Sequence, residues 1–448
     1  MNAFSRRGAC PALAAPMQTG DGLLVRLNPI TGGLWPKLLI VLGESALRHG
    51  NGIMEVTARG SLQIRGLTPA SARLLATEVD ALGIAVRTGV PVETGPLAGF
   101  DPQEVADPRA LAERIRKAIE DAGLAQRLGP KVSVIVDGGG RLTLDTVMAD
   151  VRLAAVRANA RIQWNISIAG DGQNAKPLVT VGEDAARDIA VAILRMIAEK
   201  GREAHARDLT ERQLRSLESW HSFAPPSVLR RTEGGATERQ PIGVFDLAAA
   251  GIALGIGLPF GSMPAQKLID LAQHALTLGA TEIRLAPGRA LLFIGLSPTD
   301  CRSLQQAAAT LGFVTSPTDP RTRIAACPGM PACASGRVAT RDIAETIAAE
   351  NRDILDSSLT LHISGCAKGC AHPGPATLTL VGGENGAGLV VNGTAKALPA
   401  GYRPGYDAAR GIGRVAAALR SARLRGETAA ACLARLGAAG ITEAYRQE

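Results

Sequence analysis

A chain of 448 residues, 46% of them hydrophobic, can bury two or more cores. Aromatic residues make up only 3%, which argues against nucleic-acid recognition by base stacking. The net charge of +8 and pI near 9.4 come from basic residues that are spread out, fitting either a basic enzyme surface or a partner rich in carboxylates or phosphates.

In chain order, the apolar run ending in Leu27 predicts a strand. Residues 35–49 have helical spacing through Leu38, Leu42 and Leu47, with Gly50 as C-cap. Residues 52–67 read as two strands around a polar bend, and 70–82 as a helix closed by Gly83. Further on, Lys131 to Val136, the glycine run 138–140 and residues 150–156 read as strand, loop and strand. Residues 199–240 are highly charged, contain Pro225-Pro226 and predict a helix followed by a linker. The apolar stretch 244–260 is broken by Asp246 and glycines, so it predicts strand and turn rather than a membrane span. Residues 359–363 and 377–381 predict two more strands, and 408–447 is helical. Arg6 and Arg7 are followed by Gly8, Cys10, Pro11 and Pro16, which break any continuous signal-type apolar core, so a cytoplasmic location is expected.

The chain repeats itself. Gly66-Leu67-Thr68-Pro69 and Leu82-Gly83 are matched by Gly295-Leu296-Ser297-Pro298 and Leu311-Gly312 at one constant offset, and Gly50 and Gly279 keep the same offset. Turn residues and helix cap in phase imply an internal duplication. The strand–loop–strand units around 131–156 and 359–381 extend it, with glycines in the first loop and cysteines in the second.

Four of the seven cysteines gather in two Gly/Pro-rich turns, Cys327-x5-Cys333 and Cys366-x3-Cys370. Such turns let several thiolates face one centre while backbone N–H groups face the sulfurs, as a cubane iron–sulfur cluster requires. Inert buried thiols and a structural zinc site are the competing readings. An odd cysteine count and the lack of a visible secretory signal oppose a disulfide framework. Cys301 and Cys432 lie on apolar helix faces and read as core. His362 lies on a strand between Leu361 and Ile363 and reads as structural.

The spacing Cys-x5-Cys followed by Ser-Gly-Cys-x3-Cys resembles the cluster signature of the sulfite and nitrite reductases. That resemblance implies a duplicated α+β fold of two ferredoxin-like half-domains and two larger α/β halves that bind cluster and tetrapyrrole. The expected organisation is 1–95 (first half-domain), 96–200 (first larger domain, without cluster cysteines), 201–240 (charged helix and linker), 241–317 (second half-domain), 318–398 (cluster domain) and 399–448 (helical end). It also implies a [4Fe–4S] cluster on Cys327, Cys333, Cys366 and Cys370, with Cys370 the bridge to a sirohaem iron. The family has an acid seven positions later, where this chain has Thr377.

In these reductases Arg-x-Thr-x-Arg-Gln-Thr-x-Gln binds the tetrapyrrole and, through its first Arg, the small anion. This chain has Glu55-Val-Thr57-Ala-Arg59-Gly-Ser-Leu-Gln63, keeping Thr57, Arg59 and Gln63 but replacing the first Arg by a carboxylate that repels sulfite or nitrite. The family's Pro-Arg-Lys-x-Lys is reduced to Pro130-Lys131-Val132-Ser133. The opening segment with Arg7, Cys10, Pro16, Thr19 and Arg26, together with Ser364 to Pro373, is similar to the precorrin-3B synthases, a branch of the same fold family. That similarity implies oxygen-dependent hydroxylation of precorrin-3A with lactone formation. The expected partners are precorrin-3A, dioxygen and an electron-donor protein that relays electrons from NADH; no nucleic acid and no membrane are expected. Arg26, Arg59 and Arg65 are the expected carboxylate clamps. His372, two residues after Cys370, is the candidate proton donor or ligand of a mononuclear non-haem iron. The oxygen-activating metal stays open between the cluster, such an iron and a sirohaem. A sirohaem-dependent sulfite or nitrite reductase and a non-catalytic iron–sulfur electron-transfer protein are the alternative functions.

Overall fold

The computed structural model describes residues 11–29, 33–158, 161–218, 240–248 and 251–447. Arg7, Gly8, Cys10, Pro225 and Pro226 lie outside them.

The strands form four five-stranded sheets of two kinds. In the first, Met17–Thr19, Gly22–Leu27, Leu62–Leu67 and Ile53–Val56 run antiparallel in that spatial order, and Ser262–Pro264 closes the edge beside Ile53–Val56. Its twin orders Gly243–Asp246, Ile252–Gly257, Ala290–Leu296 and Glu282–Ala286, and Gly33–Leu34 closes that edge. Each repeat thus lends the other its last strand. Behind the sheets, helix Pro36–His49 packs on helix Ala265–Thr277. Gly43 permits the approach, since a Cβ there would lie 2.5 Å from Ile269 Cγ1.

The repeated Gly-Leu-Thr/Ser-Pro string has a local cause. Gly66 and Gly295 take left-handed backbone (φ 72° and 90°) near the strand end, where a side chain is strained. Thr68 and Ser297 then cap helices Pro69–Ala81 and Pro298–Thr310, each accepting from a backbone N–H, with proline at the first helical position. Apolar residues of both units, including Leu42, Met54, Ile64, Leu268, Leu271 and Phe293, form one continuous buried core.

The other two sheets are also twins. Val92–Thr94, Val134–Asp137 and Ala149–Ala158 run parallel, followed by antiparallel Arg161–Gly170 and Lys176–Val181. Ile324–Ala326, Leu361–Ser364 and Ala376–Gly383 repeat the parallel trio, followed by antiparallel Gly386–Gly393 and Gly401–Arg403. Helices Arg109–Asp121 and Thr340–Glu350 cross over after the first strand of each trio. The helix expected in the charged segment after residue 199 is a short one, Glu211–Glu218, and it does not begin at the segment's start. Helix Glu183–Lys200 ends there, its apolar face buried through Ile189, Ile193 and Ile197. The end of the chain is helical over Ala408–Ala422 and Ala429–Arg446. Cys301 and Cys432 are buried in cores. Among the described residues no helix is long and apolar enough to cross a membrane.

A shared core has a measurable consequence. Leu268 is fully buried in it. Leu268→Ala should cost about 2–5 kcal/mol, and both half-domains should lose structure in the same transition. Denaturant unfolding followed by a probe in each repeat checks this; separate transitions would show independent halves.

Candidate functional site

The cysteine turns lie at the carboxyl ends of parallel strands, where open α/β sheets present their ligand crevices. Cys327 directly follows Ile324–Ala326, and Cys366 follows Leu361–Ser364 by one glycine. The turns fit together at their glycines. A Cβ at Gly365 would stand 3.2 Å from the Cα atoms of Gly329 and Gly336 and 3.5 Å from Cys327 Sγ; one at Gly336 would lie 2.8 Å from the Gly329 backbone. The Gly365 N–H donates to Cys327 Sγ at 3.1 Å, and Lys368 Nζ donates to Ser335 at 2.8 Å across the two turns.

Cys327 is buried, Cys333 and Cys366 are half-buried, and Cys370 is exposed. The Cys370 sulfur still sits deep enough that burial, followed by the nearby thiols of Cys327, Cys366 and Cys333, raises its pKa, with Lys368 opposing. The other three thiols therefore stand near enough to act on Cys370. The glycine-lined cradle, the amide aimed at sulfur and the four soft donors suit an iron–sulfur cluster. Among the described residues no three His, Cys, Asp or Glu side chains form a ready ligand set for a metal ion.

A buried charge network holds this cradle against the first half-sheet. In Leu62–Leu67 the strand period turns Leu62 and Ile64 into the core and Gln63 and Arg65 to the opposite face, beside Glu55 of the paired strand. That face is covered: Glu55 is 5% and Arg65 3% exposed. Arg65 donates to Asp21 (2.8 and 3.0 Å), to Glu55 (3.3 Å) and to the Ala332 carbonyl in the first cysteine turn (2.6 Å). Arg341, in the helix Thr340–Glu350 of the second repeat, donates to Glu55 at 2.5 Å. Gly20 touches the same turn, its N–H bonding Ala332 O at 3.2 Å, where a Cβ would clash with Pro331 O at 2.5 Å. Burial raises the Asp21 pKa, but hydrogen bonds from Arg65 and Thr19 overcome this and leave it lowered. Arg65 is thus neither a surface group nor an open clamp.

The other expected residues fall around this network. Gln63, in the amide orientation its neighbours require, accepts from Arg26 at 2.8 and 3.1 Å and donates to Glu55 at 3.0 Å. Thr57 Oγ1 accepts from the Ser61 N–H at 3.0 Å and shapes the hairpin tip. Arg59, at that tip, is exposed and donates to Met148 O at 2.7 Å. The tip meets the 287–289 hairpin of the second repeat, where Gly288 N–H donates to Ala58 O at 2.9 Å. Lys131 is exposed, while Val132 and Ser133 are buried.

Sequence reasoning missed Arg289 and Arg341. Arg289 donates to Ala371 O, between Cys370 and His372, at 3.0 Å. Burial foremost and Arg341 next pull its guanidinium below its usual value, against Glu55. Neither lies in a recognisable string, so only the packing of the two repeats reveals them. His362 is also more than a strand residue. It is fully buried, neither ring nitrogen has a hydrogen-bond partner among the described residues, and its ring meets His372 edge-on at 5.7 Å. His372 Nε2 lies 3.1 Å from Pro375 O. A carbonyl only accepts, so Nε2 is the donor in this contact.

The hairpin tips, through Arg59, Gly60 and Pro287, also border a cavity of about 320 Å³. Five arginines line it: Arg59, Arg87, Arg109, Arg116 and Arg284.

Residues 15–82 match the family model of the nitrite/sulfite reductase ferredoxin-like half domain. A precorrin-3B synthase from Sinorhizobium sp is 41% identical over 445 residues, covering 99% of this chain and 96% of that protein. A ferredoxin–nitrite reductase from Synechococcus elongatus is 22% identical, over 87% of this chain and 82% of the reductase. Among solved structures, NirA of Mycobacterium tuberculosis superposes with a TM-score of 0.73 at 19% identity, over 94% of this chain and 84% of that one, a likeness of fold.

His362 should couple stability to pH. Burial, then the charges of His372 and Arg289, lower its pKa from 6.5 to about 4. Between those values the unfolded chain binds a proton that the native state refuses. Stability is therefore full above about 6.5 and falls as pH drops towards 4, by something on the order of 3 kcal/mol. Unfolding measured across that window should show the slope, and His362→Gln should flatten it.

Proposed function

The chain belongs to the precorrin-3B synthase family, and we propose on that premise that it catalyses oxygen-dependent hydroxylation of precorrin-3A with lactone formation. One oxygen atom of dioxygen enters the substrate, the other leaves as water, and an electron-donor protein supplies the reducing equivalents. The observation that carries this reading is the state of Glu55. In a reductase that position reaches a small anion. Here it is a carboxylate closed on both sides by Arg65 and Arg341, so it offers sulfite or nitrite no cation. The neighbouring arginines remain suited to a large polycarboxylate.

In this reading Cys327, Cys333, Cys366 and Cys370 hold a [4Fe–4S] cluster, which would supply electrons singly to the site. Gly365 N–H steadies one sulfur, and Lys368 ties the two turns together. Arg59 takes a substrate carboxylate; its partner in this structure is a backbone carbonyl, which a charged oxygen displaces favourably. Gln63 holds Arg26 in place on the same sheet face, and Thr57 keeps the tip in shape. In this reading His372 is the proton donor during turnover.

Protein incubated with precorrin-3A, a reductant and labelled dioxygen should give a product carrying one labelled oxygen by mass spectrometry. Unlabelled product would overturn the oxygenase reading, and steady reduction of sulfite or nitrite would favour a reductase. Arg59→Ala removes one charge-assisted contact worth about 1.5–3 kcal/mol. It should weaken precorrin-3A binding by roughly ten- to a hundredfold and leave the visible spectrum intact. Cys370→Ser should instead change or abolish that spectrum and stop turnover.

A further inference from the structure

The duplication gives the thiol cradle a counterpart. The arginine cavity lies at the carboxyl ends of the first parallel trio, lined by Thr94 and Gly95 just past Val92–Thr94 and by Leu144 and Val147 in the loop after Val134–Asp137. These are the places that Cys327 and the Cys366–Cys370 loop hold in the second trio. The pairing extends to charged residues. Glu55 pairs with Gln63 across its sheet, and Arg284 pairs with Leu292 in the twin. Arg289 reaches the Ala371 carbonyl of the cysteine loop, and Arg59 reaches the Met148 carbonyl of the loop that replaces it. One copy is thus built from thiols around a buried acid, the other from guanidiniums.

The cavity carries a surplus of positive charge. Its five lining arginines face two lining carboxylates, Glu93 and Glu113; Arg87, Arg109, Arg116 and Arg284 are ion-paired with Glu93, Asp107, Glu113 and Glu282 respectively. Arg59 has no such partner among the described residues. Arg116 Nε is buried without a partner there. Burial, together with repulsion from Arg116, keeps the Arg87 guanidinium below its usual value despite Glu93. Two cations are therefore held close in a partly desolvated wall, where an incoming carboxylate gains from both. The volume lies at the bottom of the range for small-molecule pockets, so it fits acid-bearing arms and one ring edge rather than a whole macrocycle. Leu144, Val147 and Pro287 give that edge an apolar wall.

We infer that this cavity is the subsite for the carboxylate arms at one edge of the tetrapyrrole, gripped by Arg87, Arg116 and Arg59, and that it selects free acids over esters or amides. This rests on the functional reading above in naming a tetrapyrrole.

The test uses the full-length, cluster-loaded protein and uroporphyrin, a polycarboxylate tetrapyrrole, titrated by fluorescence beside its fully methyl-esterified form. Uroporphyrin should bind and the ester should not. Arg87→Gln and Arg116→Gln should each weaken binding roughly tenfold, with unchanged visible absorption and melting temperature. Arg114→Gln, the same charge change at a surface ion pair with Glu183 and Asp184, should have no such effect. With precorrin-3A, KM should rise in the two cavity variants while kcat holds. Should a variant not fold, Arg87→Lys and Arg116→Lys keep the charge but lose the fork and should still weaken binding. Equal affinity for acid and ester, or wild-type affinity in both Gln variants, would overturn the subsite even if labelled oxygen reaches the product. Acid-selective, arginine-dependent binding without precorrin-3A turnover would support the subsite and sink the proposed reaction.

Discussion

Glu55 is the point at which the two repeats are tied. Its backbone pairs with Ser262 of the second repeat, and its carboxylate sits between Arg65 of its own sheet and Arg341 of helix Thr340–Glu350. A carboxylate this deeply buried is tolerable only because it is paired and hydrogen-bonded; removing one partner of such a set typically costs about 3–5 kcal/mol. Arg65 extends the network to Asp21 and, through Ala332 O, to the first cysteine turn. The geometry of the thiol cradle therefore depends on charges supplied by a sheet far away in sequence. The carboxylate at position 55 thus helps to hold the walls of the cradle together.

Duplication explains why one scaffold carries two chemically opposite crevices. The sheets exchange edge strands and share one core, so neither half-domain is free to drift. The loops at the carboxyl ends of the parallel strands carry much less of that packing, and loops tolerate change. One copy has cysteines and glycines there. The other has no cysteine there, and its loop borders a cavity to which helix Arg109–Asp121, strand Glu282–Ala286 and the hairpin tip bring arginines. The hairpin tips 57–61 and 287–289 meet, and from them Arg59 donates to the Met148 carbonyl in one copy and Arg289 to the Ala371 carbonyl in the other.

Much of this was legible from residue order alone. The Gly-Leu-Thr/Ser-Pro string marks a left-handed glycine, a helix cap and a proline at the first helical turn, all determined by local backbone chemistry, so the repeat and its helices could be read directly. The gathering of Cys327, Cys333, Cys366 and Cys370 in glycine-rich turns was equally visible, because close approach of backbones demands glycine. Thr57, Arg59 and Gln63 stood out by their string.

Tertiary structure alone decided the rest. Residue order reads Arg65 as a clamp open to a substrate carboxylate; the second repeat covers that face and turns Arg65 into a buried tie. Edge-strand exchange leaves no local signature, since Gly33–Leu34 and Ser262–Pro264 are too short for any periodicity. Arg289 and Arg341 belong to no string and matter only because distant segments bring them to Glu55 and Ala371. The burial of His362 and the convergence of five arginines on one cavity likewise depend on which surfaces face each other. Local chemistry writes caps, turns and spacings into the sequence; long-range packing sets burial and partner charge, and so decides which polar groups are available for function.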